Sequence, residues 1–195
     1  MPLHLVNIHL INIHLVNVTS NVYSTSAMTK QPTDKQLRRL YRENWDVFTK
    51  AMEAGTSAPL LLSASETYRE ADQRLFFVGQ ETAGWDRPSD TDDRVGKLMK
   101  RYRAFRFGED GLRHTPFWRA VHEVREEVNP ESSDASIWWS NLSKVDSGGE
   151  PPSEEILGPL LEAEILTREI EITCPDAVVF FTGPTGRYDR LLRRT

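Results

Sequence analysis

Leu75-Phe76-Phe77-Val78-Gly79, followed directly by Gln80-Glu81-Thr82-Ala83-Gly84-Trp85, is the stretch whose reading decides the fold. The run before the glycine has no polar alternation. Strands apolar on both faces belong to sheets covered on both sides, and such sheets are usually parallel. The closing glycine lets the backbone approach a ligand closely or take a positive φ. A buried strand that delivers a functional loop is therefore predicted here.

Two more runs have the same character: Ile137-Trp138-Trp139-Ser140-Asn141-Leu142, and Ala177-Val178-Val179-Phe180-Phe181 before Thr182-Gly183. Helical patterns separate them. Residues 94–106 read as one helix, and Thr115-Pro116 opens another that buries Phe117, Trp118, Val121, Val124 and Val128 and stops before Pro130. Residues 145–153 read as a loop, and a long amphipathic helix runs from Ser153-Glu154-Glu155 to about Thr173. Upstream, Leu37, Leu40, Tyr41, Trp45, Val47, Phe48 and Met52 predict one helix, capped by Thr33 or Asp34 and stopped by Gly55. Residues 56–73 read as a loop with Leu60-Leu61-Leu62 inside it, and Tyr188–Arg194 as the start of a last helix. Strands alternating with helices imply α/β layering, with ligands bound outside the carboxyl ends of the strands. Gly79-Gln80-Glu81, Asn141 and Thr182-Gly183 all fall at such ends.

Composition bounds the function. At 195 residues, 38% hydrophobic and 27% charged, the chain fits one globular domain. The net charge of −5 excludes a general attraction to nucleic acid, so a DNA partner needs a local basic patch. Cys174 is the single cysteine, which rules out a disulfide framework and a multi-cysteine metal site and makes a cytoplasmic location the default. No apolar run reaches the roughly 18–20 residues a membrane span needs, and no secretory signal is expected. Nothing in the pattern sets an oligomeric state.

The first residues repeat with a period of five: His4-Leu-Val-Asn-Ile8, His9-Leu-Ile-Asn-Ile13, His14-Leu-Val-Asn-Val18. That spacing puts His4, His9 and His14 on neither one helix face nor one strand face, which argues against a metal site. Residues 1–28 are expected to lie outside the fold as a disordered low-complexity segment, with Met28 a plausible start and the domain covering 29–195.

The chemistry-bearing residues follow from the strand ends. Glu81 is a carboxylate at the sheet rim, able to orient water or stabilise positive charge; the plain alternative is a turn with a solvated glutamate. Asn141 is a buried amide that needs partners, and a carboxamide presents a donor and an acceptor side by side, as a nucleobase edge does. The alternative is an asparagine satisfied by nearby backbone. Trp138 and Trp139 read as core, whereas Trp85, in the loop, is the better stacking surface. Arg94, Lys97, Lys100, Arg101, Arg103 and Arg106 form a basic run with no acid among them, suited to phosphates or simply a solvated face. Arg187, Arg190, Arg193 and Arg194 form a second basic group. His114 and His122 lack partners at metal-ligand spacing, and Ser63 and Ser65 lack a nucleophile-elbow context.

Taken together, these motifs resemble the uracil-DNA glycosylase superfamily. Val78-Gly79-Gln80-Glu81 is similar to its first motif, and Ser140-Asn141-Leu142-Ser143-Lys144 to its second-strand asparagine segment. Pro151-Pro152-Ser153-Glu154-Glu155-Ile156 and Pro175–Gly183 are similar to its next helix and strand, so the likeness covers roughly residues 74–192. The resemblance implies a three-layer α/β/α sandwich around a short parallel sheet. It also implies an enzyme that flips a damaged or modified base out of DNA and hydrolyses its N-glycosidic bond, with no metal or organic cofactor. Glu81 would take the catalytic carboxylate's place. Asn141, Gly79, Gln80 and Trp85 would bind the base, and Lys97, Lys100 and Arg101 would contact DNA phosphates.

There are three departures. Glu81 is longer than the aspartate of the uracil-excising branch, and Thr82 replaces its proline. The four cysteines of the iron–sulfur branch are missing. No histidine follows His122, so the family's last strand and His-containing loop have no counterpart, and a sheet truncated before its last strand, with an open edge, is expected. A catalytically inactive nucleic-acid or nucleotide-binding module of the same fold, and a hydrolase of free nucleosides, remain as alternatives.

Overall fold

A computed structural model describes residues 33–63, 68, 72–86, 92–105, 115–131, 137–181 and 188, together with the backbone of Ile13–Asn17. The strands are β1 (Ile13–Asn17), β2 (Leu75–Gly79), β3 (Ile137–Asn141) and β4 (Ala177–Phe181). The described helices are α1 (Thr33–Glu43), α2 (Trp45–Glu53), α3 (Arg94–Ala104), α4 (Pro116–Val128), α5 (Glu154–Glu162) and α6 (Ile165–Thr173). None of them is long and apolar enough to cross a membrane.

The three strands predicted from apolar runs form a parallel sheet, in the order β4-β2-β3. Every side chain of β2 and β3 is buried, and each large apolar one contributes roughly 1.5–3 kcal/mol on leaving water. Successive residues alternate between the faces. Phe77, Trp139 and Phe181 meet Phe117 and Trp118 of α4 on one face. Trp138, stacked on Tyr68, and Ser140, bonded to Glu169 of α6, lie on the other. Helices thus cover both faces of an α/β fold. At the outer edge of β3, the Tyr102 hydroxyl of α3 accepts from Trp139 N–H (3.0 Å) and donates to Trp139 C=O (2.9 Å), so this edge is not left open.

Four expectations are corrected. Residues 1–28 do not all lie outside the fold, because Ile13–Asn17 pairs antiparallel with β4, from Ile13 opposite Phe181 to Asn17 opposite Ala177. The sheet is therefore mixed, and the edge of β4 expected to be open is covered. The outer ladder of β4 is a pairing template that β1 fills, and Ile-His-Leu-Val-Asn carries the β-branched residues that suit it. Third, the single helix expected from Thr33 to Met52 is two. Asn44 donates its side-chain Nδ2 to Leu40 C=O (2.9 Å), competing with the helical ladder at the break. Fourth, the helix expected from Ser153 to Thr173 breaks at Glu164, which has φ 50°. Leu157 and Leu160 set the buried stripe of α5, and its continuation would bury Glu164 and Arg168. The break shifts the stripe by one residue, so that Ile165 and Glu169 enter the core instead.

Glu169 brings a charge with it. It is fully buried, as is Lys144 at 2% exposure. Lys144 Nζ donates to Glu169 Oε2 and to Ser140 Oγ. Ser140 Oγ (2.9 Å) and Tyr41 Oη (2.7 Å) also donate to the carboxylate, and Tyr41 Oη accepts from Leu62 N–H (2.9 Å). Burial pushes the Glu169 pKa up and the Lys144 pKa down, and the charge of each partner opposes both shifts. The network ties α1, α6, the end of β3 and the Leu60–Leu62 segment together. Removing one partner of such a pair leaves an uncompensated charge. Lys144→Met is therefore expected to lower stability by about 3–5 kcal/mol, and adding Glu169→Leu to restore most of it. Denaturant midpoints of the single and double variants measure this; a double variant no more stable than Lys144→Met contradicts it.

Candidate functional site

β2 and β3 end level with each other, Gly79 opposite Asn141. The ladder continues one step past them, with Leu142 N–H donating to Gly79 C=O (3.0 Å) and Ser143 N–H to Gln80 C=O (2.8 Å). Leu142 to Asp146 are all buried, so the chain leaving β3 is held against the chain leaving β2.

Asn141 explains Gly79. A Cβ on Gly79 would lie 2.5 Å from Asn141 Oδ1 and 3.2 Å from Phe117 Cε2. The amide lies over the glycine, in space that any side chain would take. Asn141 Oδ1 accepts from Trp139 Nε1–H (3.1 Å), two residues back on the same strand face. Asn141 Nδ2 is buried without a hydrogen-bond partner, on a residue only 2% exposed. Leaving such a donor unmet costs roughly 1–3 kcal/mol, so it marks a place where the fold yields stability.

Glu81 is half-buried in the loop after β2. Its Oε2 accepts from the hydroxyl of Tyr188, which is 1% exposed. The loop itself is clamped by Asp146. The Asp146 carboxylate accepts from Thr82 Oγ1 (2.5 Å), Gly84 N–H (3.0 Å) and Gly149 N–H (2.6 Å). Gly84 has φ 70°, a turn that a glycine takes without strain. Ser57 Oγ accepts from Asp146 N–H (3.0 Å), while Ser57 N–H donates to Asp146 C=O (2.8 Å). Burial alone would raise the Asp146 pKa, but its hydrogen bonds outweigh it and hold the carboxyl below its ordinary range.

The predicted residues divide. Gly79, Gln80, Glu81 and Asn141 come together at the strand ends. Trp85 is corrected: it is 7% exposed and packs edge-on against Phe105 (5.2 Å) and Trp139 (5.5 Å), so it belongs to the aromatic wall rather than to an open stacking surface. A loop position does not keep a large ring in water when an aromatic face lies beside it. Lys97, Lys100 and Arg101 are exposed on α3, and the Arg101 guanidinium lies 5.8 Å over the Trp85 ring, which joins the basic helix to the Glu81 loop. Arg103 is instead drawn to Asp34 (2.9 Å) and Ser63 (2.9 Å). His122 is buried beside Trp118. Among the described residues no group of three metal-ligating side chains is found. Thr182-Gly183, His114, Ser65, Arg106 and the Arg187–Arg194 group lie outside the described residues.

The contacts of Tyr188 and Asp146 with this loop, the approach of Phe117 to Gly79 and the role of Trp139 were not anticipated. Only Trp139 carried a readable signal, since positions i and i+2 of a strand share a face. No protein-family model, no curated protein and no solved structure matches the chain.

Two outcomes are expected. Gly79→Ala must push the Asn141 amide off its bond from Trp139, which side-chain amide NMR reads directly; an unmoved Asn141 resonance contradicts the close approach. Asp146→Asn is expected to cost roughly 1–3 kcal/mol at neutral pH. Because the folded pKa of Asp146 is depressed, its contribution is present above the unfolded value and is lost as pH falls through the folded one. The stability gap between the two proteins should hold near neutrality and shrink below about pH 3.8 in denaturant titrations. A gap that widens on acidification contradicts this assignment.

Proposed function

We propose that this protein is a DNA glycosylase-like hydrolase that receives an extruded base at the ends of β2 and β3 and cleaves its N-glycosidic bond. One observation carries the reading: Asn141 keeps a buried, unpartnered amide donor over Gly79, and the half-buried Glu81 follows two residues after that glycine. A donor left unmet inside a protein is a group that a ligand acceptor can meet. Asn141 binds the base, and Gly79 leaves room for the amide. Glu81 orients a water for attack on the sugar carbon and stabilises the positive charge that develops there; the base leaves with the bonding electron pair, and the proton the water gives up passes to the Glu81 carboxylate and from there to the released base. Tyr188 holds the carboxylate in place. Lys97, Lys100 and Arg101 supply local positive charge for phosphates on a chain that is acidic overall.

A second reading, a base-binding module without turnover, is favoured by the Tyr188 hydroxyl, which already engages one oxygen of Glu81. Base release from oligonucleotides carrying uracil, hypoxanthine or a modified cytosine separates the two. Glu81→Gln is expected to lower release by about 10²–10⁴-fold, the usual size of a lost acid–base group. Tyr188→Phe should lower it by about tenfold through a less well-placed carboxylate. Full activity in Glu81→Gln removes Glu81 from catalysis, and salt-dependent binding without any release selects the module.

A further inference from the structure

Arg101 stands apart from the arginines around it. Arg38 and Arg42 reach Asp93 (3.1 and 3.5 Å), Arg39 reaches Glu43 (2.6 Å) and Arg103 reaches Asp34 (2.9 Å), so carboxylates engage all four. Arg101 meets no carboxylate among the described residues; its guanidinium lies 5.8 Å from the centroid of the Trp85 ring. A ring face attracts the cation through its π electrons and occupies none of its N–H groups. Arg101 is exposed, so its whole donor fork stays available to a ligand. The ring beneath it is fixed. Trp85 packs edge-on against Phe105 and Trp139, with centroids 5.2 and 5.5 Å away. Its chain neighbours are tied down on both sides: Gly84 N–H donates to the Asp146 carboxylate (3.0 Å), and Asp86 C=O accepts from Ala58 N–H (3.0 Å). The same Asp146 oxygen accepts from Thr82 Oγ1, one residue after Glu81. One set of anchors thus fixes the Trp85 ring and the Glu81 backbone together.

We infer that Trp85 is a positioning residue for Arg101, holding its guanidinium as a clamp for one phosphate of a nucleic-acid strand in fixed register with the Glu81 loop. This rests on the DNA-glycosylase reading above and divides the work among its cations. Lys97 and Lys100 offer point charges on flexible stems, whereas a planar fork held on a ring can meet two phosphate oxygens at once. A cation–π contact at an exposed site favours the held position about two- to fivefold. That ordering is complete before the strand arrives, so binding does not have to supply it. On a chain of net charge −5 the overall field does not hold a strand, and a directed contact counts for more.

The test measures binding of a uracil-containing single-stranded oligonucleotide to the full chain over a range of salt concentrations. Losing one phosphate contact lowers the steepness of log affinity against log salt by about 0.7 for a single strand. Arg101→Ala is expected to show that loss, with affinity about tenfold lower at low salt. Trp85→Leu removes no charge, yet is expected to weaken binding about two- to fivefold. Trp85→Phe keeps a ring under the guanidinium and is expected to stay within about twofold of wild type. In the Arg101→Ala background, Trp85→Leu should have no further effect, because the residue it positions is gone; a ring that only packs would weaken binding equally in both backgrounds. NMR of the wild-type protein supplies a readout that needs no variant. The Arg101 side-chain resonances should carry the ring-current shift of Trp85 and move when the oligonucleotide is added. Arg101 resonances that do not move, an unchanged slope in Arg101→Ala, or a Trp85→Leu loss that persists in full in the double variant overturns the inference and leaves base binding intact. Failure of the wild-type protein to bind the oligonucleotide overturns both.

Discussion

The ion pair between Lys144 and Glu169 lies where water does not reach, and much of the molecule is arranged around that fact. A buried charge is tolerated only when its partner and its remaining hydrogen bonds are all in place. Meeting that condition requires Ser140 at the end of β3, Tyr41 from α1 and a redirected α6, all in one small volume. It also fixes the direction in which the chain leaves β3. Lys144 C=O accepts from Leu60 N–H (2.8 Å), and two residues later Asp146 reaches the loop after β2. The pair thus acts through geometry more than through net stability, since replacing both charges by apolar groups is often neutral.

On the opposite face of the sheet the constraint is steric. Rings from β2, β3, β4, α3 and α4 close into one wall, and the only amide among them sits over the only residue type that leaves it room. The cost is a buried donor with no partner. The two faces are not independent: Ser140 and Asn141 are consecutive, so whatever anchors one side chain sets the register of the other.

Much of this was legible along the chain. Apolar runs ending in Gly79, Asn141 and Phe181 identified the three parallel strands, because unbroken apolar character is possible only with cover on both faces. Thr115-Pro116 identified the start of α4, where Thr115 Oγ1 accepts from Trp118 N–H (3.4 Å) as a cap does. Helix continuity was less legible. Leu37 to Met52 and Leu157 to Thr173 keep a helical period through their breaks, and only the demand to bury Ile165 and Glu169 rather than Glu164 and Arg168 shows why the second one is interrupted. β1 could not be read at all, since a five-residue repeat offers no one-sided face and finds its place through the backbone of β4.

The sequence by itself determined the α/β class and the strand ends, with a glycine and a carboxylate at one and an asparagine at another. These follow from periodicity and residue chemistry, which are local. Only the tertiary structure decided that Trp85 is wall rather than platform, that Arg103 turns to Asp34, that Tyr188 meets Glu81, and that the Glu81 loop hangs from Asp146. Each of those contacts joins residues distant in the chain, and no local pattern encodes a distance across the fold. The Leu75–Trp85 stretch therefore specified one strand and its end, and contacts from α3, α4 and the β3 loop specified which of its side chains are buried.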